Sequence, residues 1–334
     1  MRTRVAVLGA GSFGTCLALL AARKHDVTLW ARDAEMAAAM QRERRNPKYL
    51  SDFALPEGLR VTADLAGAVA GRQLVICAIP SHGVREVMRA AGRLMAEDAI
   101  VVSTVKGIEV ETSLLMHQVL AAVLPEHLRS RVVALSGPSF AREVAAGKPT
   151  AVTLACAEEA HATAVQSALS SPLFRGYTHK DVIGVEVGGA LKNVVAIAVG
   201  MSDGLGTGLS ARAALMTRGL HEIARLGIKL GADPLTFLGL SGMGDLILTC
   251  TGDLSRNRTV GLELARGRTL AEIVRGMNEV AEGVKTTYAA CGLAAKLGME
   301  MPIATGLKAV LEGKLTPAQA GRLLMARQLK SERE

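Results

Sequence analysis

The chain has 334 residues, 49% of them hydrophobic, enough for two domains with cores of their own and for no long disordered tract. Its 39 basic and 31 acidic residues leave a net charge of +8, but aromatics are only 3% and no basic stripe is interleaved with them, which argues against nucleic acid as a partner. Five single cysteines without a CxxC pair, and histidines with no ligand spacing between them, argue against a disulfide framework and against a metal.

The opening residues run straight into an apolar stretch, 5–8, with no segment of signal-peptide shape, so a cytoplasmic location is expected. Gly9-Ala10-Gly11-Ser12-Phe13-Gly14 follows, then a helix-forming run at 15–23 and a strand-like run at 26–30. Strand, glycine turn, helix and strand stand in the order a dinucleotide-binding βαβ unit requires. Gly9 permits the tight turn, Gly11 lets backbone approach a pyrophosphate at the helix N-terminus, and Gly14 lets helix and strand pack closely. Arg32 comes where an NAD-binding unit places an acid, and a guanidinium suits a 2′-phosphate, so NADP is expected to bind at least as well as NAD. The other reading is a solvated arginine, with Asp33 taking the ribose hydroxyl. The basic cluster Arg42-Glu43-Arg44-Arg45 reads as a solvated helix face.

Strand-like runs at 74–79, 99–104, 131–135 and 151–156 alternate with helical runs, the pattern of a mostly parallel doubly wound sheet. Near Tyr177 the pattern changes, and from about Val185 onward helix follows helix, as at 211–226. The boundary is expected near residue 187, dividing a dinucleotide-binding domain (1–187) from a helical domain (188–334). The apolar run 187–201, interrupted by Lys192 and Asn193, reads as too short to span a bilayer, so no membrane insertion is expected. Apolar helices in the second half suggest a homodimer, and the last five residues read as a frayed tail.

Ligands of doubly wound sheets bind beyond the C-terminal ends of the strands. Three such ends stand out: Pro80-Ser81-His82, Thr104-Val105-Lys106-Gly107 and Ser136-Gly137-Pro138-Ser139-Phe140-Ala141. Lys106 is a lone cation there, and local sequence reads equally well as a solvated turn lysine. Lys192 is the only charge between Val187 and Met201. Burial would lower its pKa toward the range of a proton-transfer group, the alternative being a lysine that snorkels out of the helix. Further on, Gly242-Met243-Gly244-Asp245 supplies a counter-ion for a lysine. Ser255-Arg256-Asn257 combines hydroxyl, guanidinium and amide, a chelate for phosphate, although Ser255 also reads as a helix cap.

Together these segments resemble the bacterial NAD(P)-dependent glycerol-3-phosphate dehydrogenases. The matches are GAGSFG at 9–14, KG at 106–107, SGPSFA at 136–141, LKN at 191–193, GMGDL at 242–246, SRNR at 255–258 and EG at 282–283, in the family's order and over nearly the whole chain. The resemblance implies an α/β N-terminal Rossmann-type doubly wound sheet plus an all-α C-terminal domain, 6-phosphogluconate dehydrogenase-like, with the active site between them. It implies reversible hydride transfer between NAD(P)H and C2 of dihydroxyacetone phosphate, giving sn-glycerol 3-phosphate for phospholipid synthesis. Carried over by position, Lys192 is the proton donor and acceptor at the C2 oxygen, Lys106 contacts substrate beside the nicotinamide, and Asp245 orients Lys192. Lys106, Gly137, Ser139, Asp245, Ser255, Arg256 and Asn257 would hold substrate, with Ser255, Arg256 and Asn257 nearest its phosphate. Gly9, Gly11, Ser12, Phe13, Gly14, Arg32, Lys106, Ala141, Arg256, Val280 and Glu282 would line the cofactor site. The sequence departs from the family at Gly208-Leu209-Ser210, where an asparagine is expected after the glycine. Two further readings share these features: a β-hydroxyacid or 6-phosphogluconate-type dehydrogenase, and a non-catalytic dinucleotide-sensing module. The SRN segment favours a small phosphate ester over the first, and a sensor has no use for an acid/base lysine.

Overall fold

A computed structural model of the chain describes residues 2–277, 281–329 and 331–332. The strands are β1 (Arg4–Leu8), β2 (Asp26–Trp30), β3 (Arg60–Thr62), β4 (Leu74–Cys77), β5 (Ile100–Ser103), β6 (Val132–Ser136), β7 (Thr150–Ala155) and β8 (Phe174–His179). They form one sheet in the order β3-β2-β1-β4-β5-β6-β7-β8. The first six are parallel, β7 runs antiparallel to β6, and β8 runs parallel to β7. Side chains alternate across a strand, so each apolar run serves two layers. Val5, Val7, Leu74 and Ile76 enter one core, while Ala6, Leu8, Val75 and Cys77 enter the other. Strand order climbs outward from β1 in both directions, which puts the topological switch point between β1 and β4 and opens a crevice at their C-terminal ends.

The expected basic helix face is corrected at Arg44 and Arg45. The helix Ala34–Glu43 stops at Glu43, and Arg44 takes a left-handed φ of 53°. Its guanidinium donates to the carbonyls of Pro56, Glu57 and Leu59, and Arg45 donates to Ser51 O. Both arginines therefore fasten the loop between this helix and β3. Asn46, wholly buried, ties that loop to the glycine turn: Nδ2 donates to Ala10 O at 2.9 Å and Thr15 Oγ1 at 2.8 Å, and Oδ1 accepts from Lys48 N and Tyr49 N. Asn46→Ala removes all four bonds and leaves Ala10 O and Thr15 Oγ1 only their long contact with each other at 3.4 Å, so a loss of about 1–3 kcal/mol is expected as a lower urea midpoint. An unchanged midpoint would mean that the loop is held by other contacts.

The second half is built on the helix Val182–Gly204, packed by Leu209–Lys229, Arg256–Ala265 and Glu282–Lys296 around a separate apolar core. At 23 residues this helix exceeds the apolar run read from the sequence and is long enough to cross a membrane, but 89% of its apolar window is buried inside the protein. It is a core helix. Residue 187 falls within it. One residue earlier, buried Glu186 accepts from His117 N at 2.9 Å and pairs with His117 Nδ1 at 2.7 Å, tying the long helix to the start of Met116–Val123 on the sheet side. At the departure from the family pattern, Leu209 opens its helix 73% exposed, and Gly208 gives no side-chain cap.

Candidate active site

A cleft of about 520 Å³ runs from the glycine turn along the ends of β1, β4 and β5 to the long helix, within the size range of ligand sites. Gly9 stands at φ +113°, and a Cβ there would meet Ala78 O at 2.5 Å; one on Gly14 would lie 1.8 Å from Gly9 O. Gly11, by contrast, has open space where a Cβ would point, and as N-cap of Ser12–Ala22 it contributes no capping side chain. Backbone can thus approach a pyrophosphate there, at the positive end of the helix. The turn fits a dinucleotide. Ser12, Phe13, Arg32, Ala141, Arg256 and Glu282 line the same cleft; Val280 lies outside the described residues. Asp33, the alternative ribose partner, has its Oδ1 engaged by Met36 N at 3.0 Å as the cap of Ala34–Glu43.

At the far end two lysines share one carboxylate. Lys192 Nζ donates to Asp245 Oδ1 at 2.7 Å and to Thr249 Oγ1 at 2.6 Å, while Lys106 Nζ donates to Asp245 Oδ2 at 2.6 Å and to Gly137 O at 3.0 Å. Neither alternative reading of the lysines holds, since their side chains are only 8% and 17% exposed. The local sequence explains the placement. A Cβ on Gly188 would lie 2.7 Å from Ser241 O, and one on Gly189 would lie 2.5 Å from Ser136 Oγ, so this glycine pair lets the long helix sit flush against β6 and the turn ahead of Asp245. Lys192 follows within one turn. The π-helical segment Leu240–Gly244 delivers Asp245 to the first position of the helix Asp245–Thr251. Asp245 and Thr249, four apart, then share the face that meets Lys192.

Burial pushes the Lys192 ammonium down to about 8, Asp245 opposing this and Lys106 adding to it. Burial alone would raise the Asp245 carboxyl, but the two lysines outweigh it and hold it below its ordinary value. The site therefore keeps a fixed carboxylate, with one ammonium poised to exchange a proton near neutral pH.

The SRN segment serves structure as well as the cleft. Ser255 Oγ accepts from Arg258 N at 3.2 Å, capping Arg256–Ala265, and Arg256 is exposed at the cleft wall. Asn257 Nδ2 donates to Asn193 Oδ1 at 2.9 Å, and its Oδ1 accepts from Gly283 N at 3.0 Å. Gly137 O also accepts from Ser139 Oγ at 3.0 Å.

The chain's residues 4–162 match the model of the NAD-dependent glycerol-3-phosphate dehydrogenase N-terminus, and residues 181–322 match that of the C-terminus. The chain belongs to the NAD-dependent glycerol-3-phosphate dehydrogenase family. It is 52% identical to a glycerol-3-phosphate dehydrogenase, NAD(P)+, of Geobacter sp. (strain M21), over 99% of both chains. It is 48% identical to one of Leptospira biflexa, over 98% of this chain and 99% of the other. The crystal structure of a glycerol-3-phosphate dehydrogenase from Coxiella burnetii superposes with a TM-score of 0.93 at 39% identity, covering 98% of this chain and 99% of that one. This family placement makes the protein an NAD(P)-dependent oxidoreductase acting on a CH–OH group. Three residues were given no bonding role from the sequence: Thr249 in the site, Asn46 behind the glycine turn and Ser81 behind the cleft wall. The spacing of Thr249 from Asp245 was available as a signal; the other two pair with residues far along the chain.

Proposed function

We propose that hydride passes reversibly between NADPH or NADH and C2 of dihydroxyacetone phosphate, giving sn-glycerol 3-phosphate, with Lys192 as proton donor and acceptor at the C2 oxygen. The observation that carries this is the buried set Lys192–Asp245–Lys106 at the floor of a cleft whose other end suits a dinucleotide. When bound, the cofactor supplies or takes up the hydride. A ketone that gains hydride leaves negative charge on oxygen; the ammonium of Lys192 stabilises that charge and then donates its proton. Lys106 adds a second positive field beside the same oxygen, and Asp245 keeps both lysines oriented. Gly137 and Ser139 flank the substrate. Ser255, Arg256 and Asn257 take its phosphate at the start of Arg256–Ala265, where helix N–H groups and a guanidinium converge. Ser255 and Asn257 still have donors to offer, because a hydroxyl accepting one bond can donate another and an amide carries two N–H groups.

In this reading residues 1–187 bind the cofactor, with Ala141 among its walls, and residues 188–334 complete the substrate site. Arg32 takes a 2′-phosphate. Arg32→Ala is expected to raise the KM for NADPH by roughly ten-fold or more, with the KM for NADH nearly unmoved, as loss of a charge-assisted contact predicts. An unchanged preference would remove Arg32 from that role. The five free cysteines, four of them buried, suit the reducing cytoplasm. A homodimer through the helical half is supported by the exposed Leu235 and Leu238, and sedimentation would test it. The deciding assay follows oxidation of NADPH and NADH with dihydroxyacetone phosphate. Turnover confined to β-hydroxyacid or phosphogluconate substrates would overturn the reading.

A further inference from the structure

We propose that Ser81 is a positioning residue: it holds the Glu282 carboxylate at the mouth of the cleft and so latches the sheet half of the chain to the helical half around the dinucleotide. The inference rests on the function proposed above. Ser81 opens the short 3-10 turn Ser81–Gly83 just beyond β4, and Glu282 opens the helix Glu282–Lys296. Across 201 residues of sequence, Ser81 N donates to Glu282 Oε1 at 3.0 Å and Ser81 Oγ donates to Oε2 at 2.6 Å. One residue of the sheet half thus engages both oxygens of one carboxylate of the helical half.

Three further observations make this more than a loop contact. Ser81 is only 4% exposed, so its two donors need an acceptor inside the protein, and Glu282 is that acceptor. Glu282 lines the cleft beside Pro80, His82 and Lys106, whereas Ser81 stands outside the cleft lining, backing Glu282. Gly107 closes the third side. A Cβ there would lie 2.8 Å from Ser81 Cβ and 3.3 Å from Glu282 Oε2, so the glycine after Lys106 is the residue that leaves room for the pair. A carboxylate beside a phosphorylated cofactor would turn away if it were loose. Held by two donors it keeps a fixed orientation, and of its roughly four lone-pair sites about two stay open to a hydroxyl or amide of the dinucleotide. The latch acts on cofactor retention, at a point separate from the proton transfer at Lys192.

The test is a double-mutant cycle on the full chain, with the Kd for NADPH read without substrate and kcat and KM read with dihydroxyacetone phosphate. Ser81→Ala, which keeps the backbone donor and removes the hydroxyl, is expected to raise the Kd roughly ten-fold, as loss of one hydrogen bond to a charged group predicts, with kcat within about two-fold of wild type. Ser81→Ala combined with Glu282→Gln should weaken binding little more than the stronger single change, because the two residues act as one unit. Gly107→Ala should reproduce the Ser81→Ala phenotype by crowding the pair. An unchanged Kd in Ser81→Ala, or strictly additive effects in the double variant, overturns the latch. A wild-type chain that binds NADPH but does not turn over dihydroxyacetone phosphate overturns the proposed substrate and leaves the binding cycle to decide the latch.

Discussion

Lys192→Ala is expected to lower kcat for ketone reduction by about 10²- to 10⁴-fold, the range for a positioned proton-transfer group, while the Kd for dinucleotide stays within roughly two-fold. The pH profile sharpens the test. In the proposed mechanism reduction consumes the proton of the ammonium, so its rate should fall as pH rises through about 8, where burial brings Lys192. Oxidation of the alcohol needs the free amine, so its rate should climb through the same pH. In the variant both inflections should vanish together with the rate. A variant that loses dinucleotide binding instead would show that Lys192 serves the fold, and one with full turnover would move the acid/base elsewhere.

Asp245→Asn should have an effect of similar size by a different route. The substitution keeps the shape and removes the one negative charge that, among the described residues, is bonded to the two ammonium groups. Stripping the partner from a buried charge costs on the order of 3–5 kcal/mol, and the protein can reduce that cost by releasing a proton. With burial and Lys106 unopposed, Lys192 should fall further below 8. Reduction should then be slow at neutral pH and recover partly in more acidic buffer, the reverse of a simple loss of fold. Unfolding measured alongside separates the two. A pH profile that coincides with wild type would show that Asp245 does not set the charge state of Lys192.

How far the sequence announced these features depended on whether the cause was local. The unit β1, glycine turn, helix and β2 was legible because apolar runs and glycine spacing are short-range signals. The burial of Lys192 was half legible: it is the one charge between Val187 and Met201, but the local sequence left a snorkelling lysine equally open. Two strands were not. β3 has three residues, and β8, at the sheet edge, alternates buried Phe174 with exposed Arg175 and so lacks a continuous apolar run. The reversed direction of β7 has no local signature, since an apolar strand reads alike in either sense. Arg44 misled for a related reason: a basic run looks like a free helix face until the carbonyls of Pro56, Glu57 and Leu59 gather around its guanidinium, while Arg45 stays exposed and donates to Ser51 O. Asn257 looked like a phosphate ligand, but its amide also spans Asn193 and Gly283, partners that only the tertiary fold supplies.

The shared carboxylate of Asp245 has a consequence for the whole catalytic cycle. Two ammonium groups and one carboxylate leave the floor of the cleft with a single excess positive charge. In the mechanism proposed above, Lys192 would become neutral in ketone reduction as the cofactor gave up its hydride and gained a positive charge, and the reverse would hold in oxidation. The proton and the hydride thus leave the summed charge of the enclosed site the same before and after the reaction. No counter-ion has to enter or depart, and the surrounding dipoles need not reorganise around a new net charge in a medium where such changes are costly. A neutral residue in place of Lys106, or a second carboxylate nearby, would lower that charge by one and change the field on the proton of Lys192, but would leave the sum the same on both sides of the reaction.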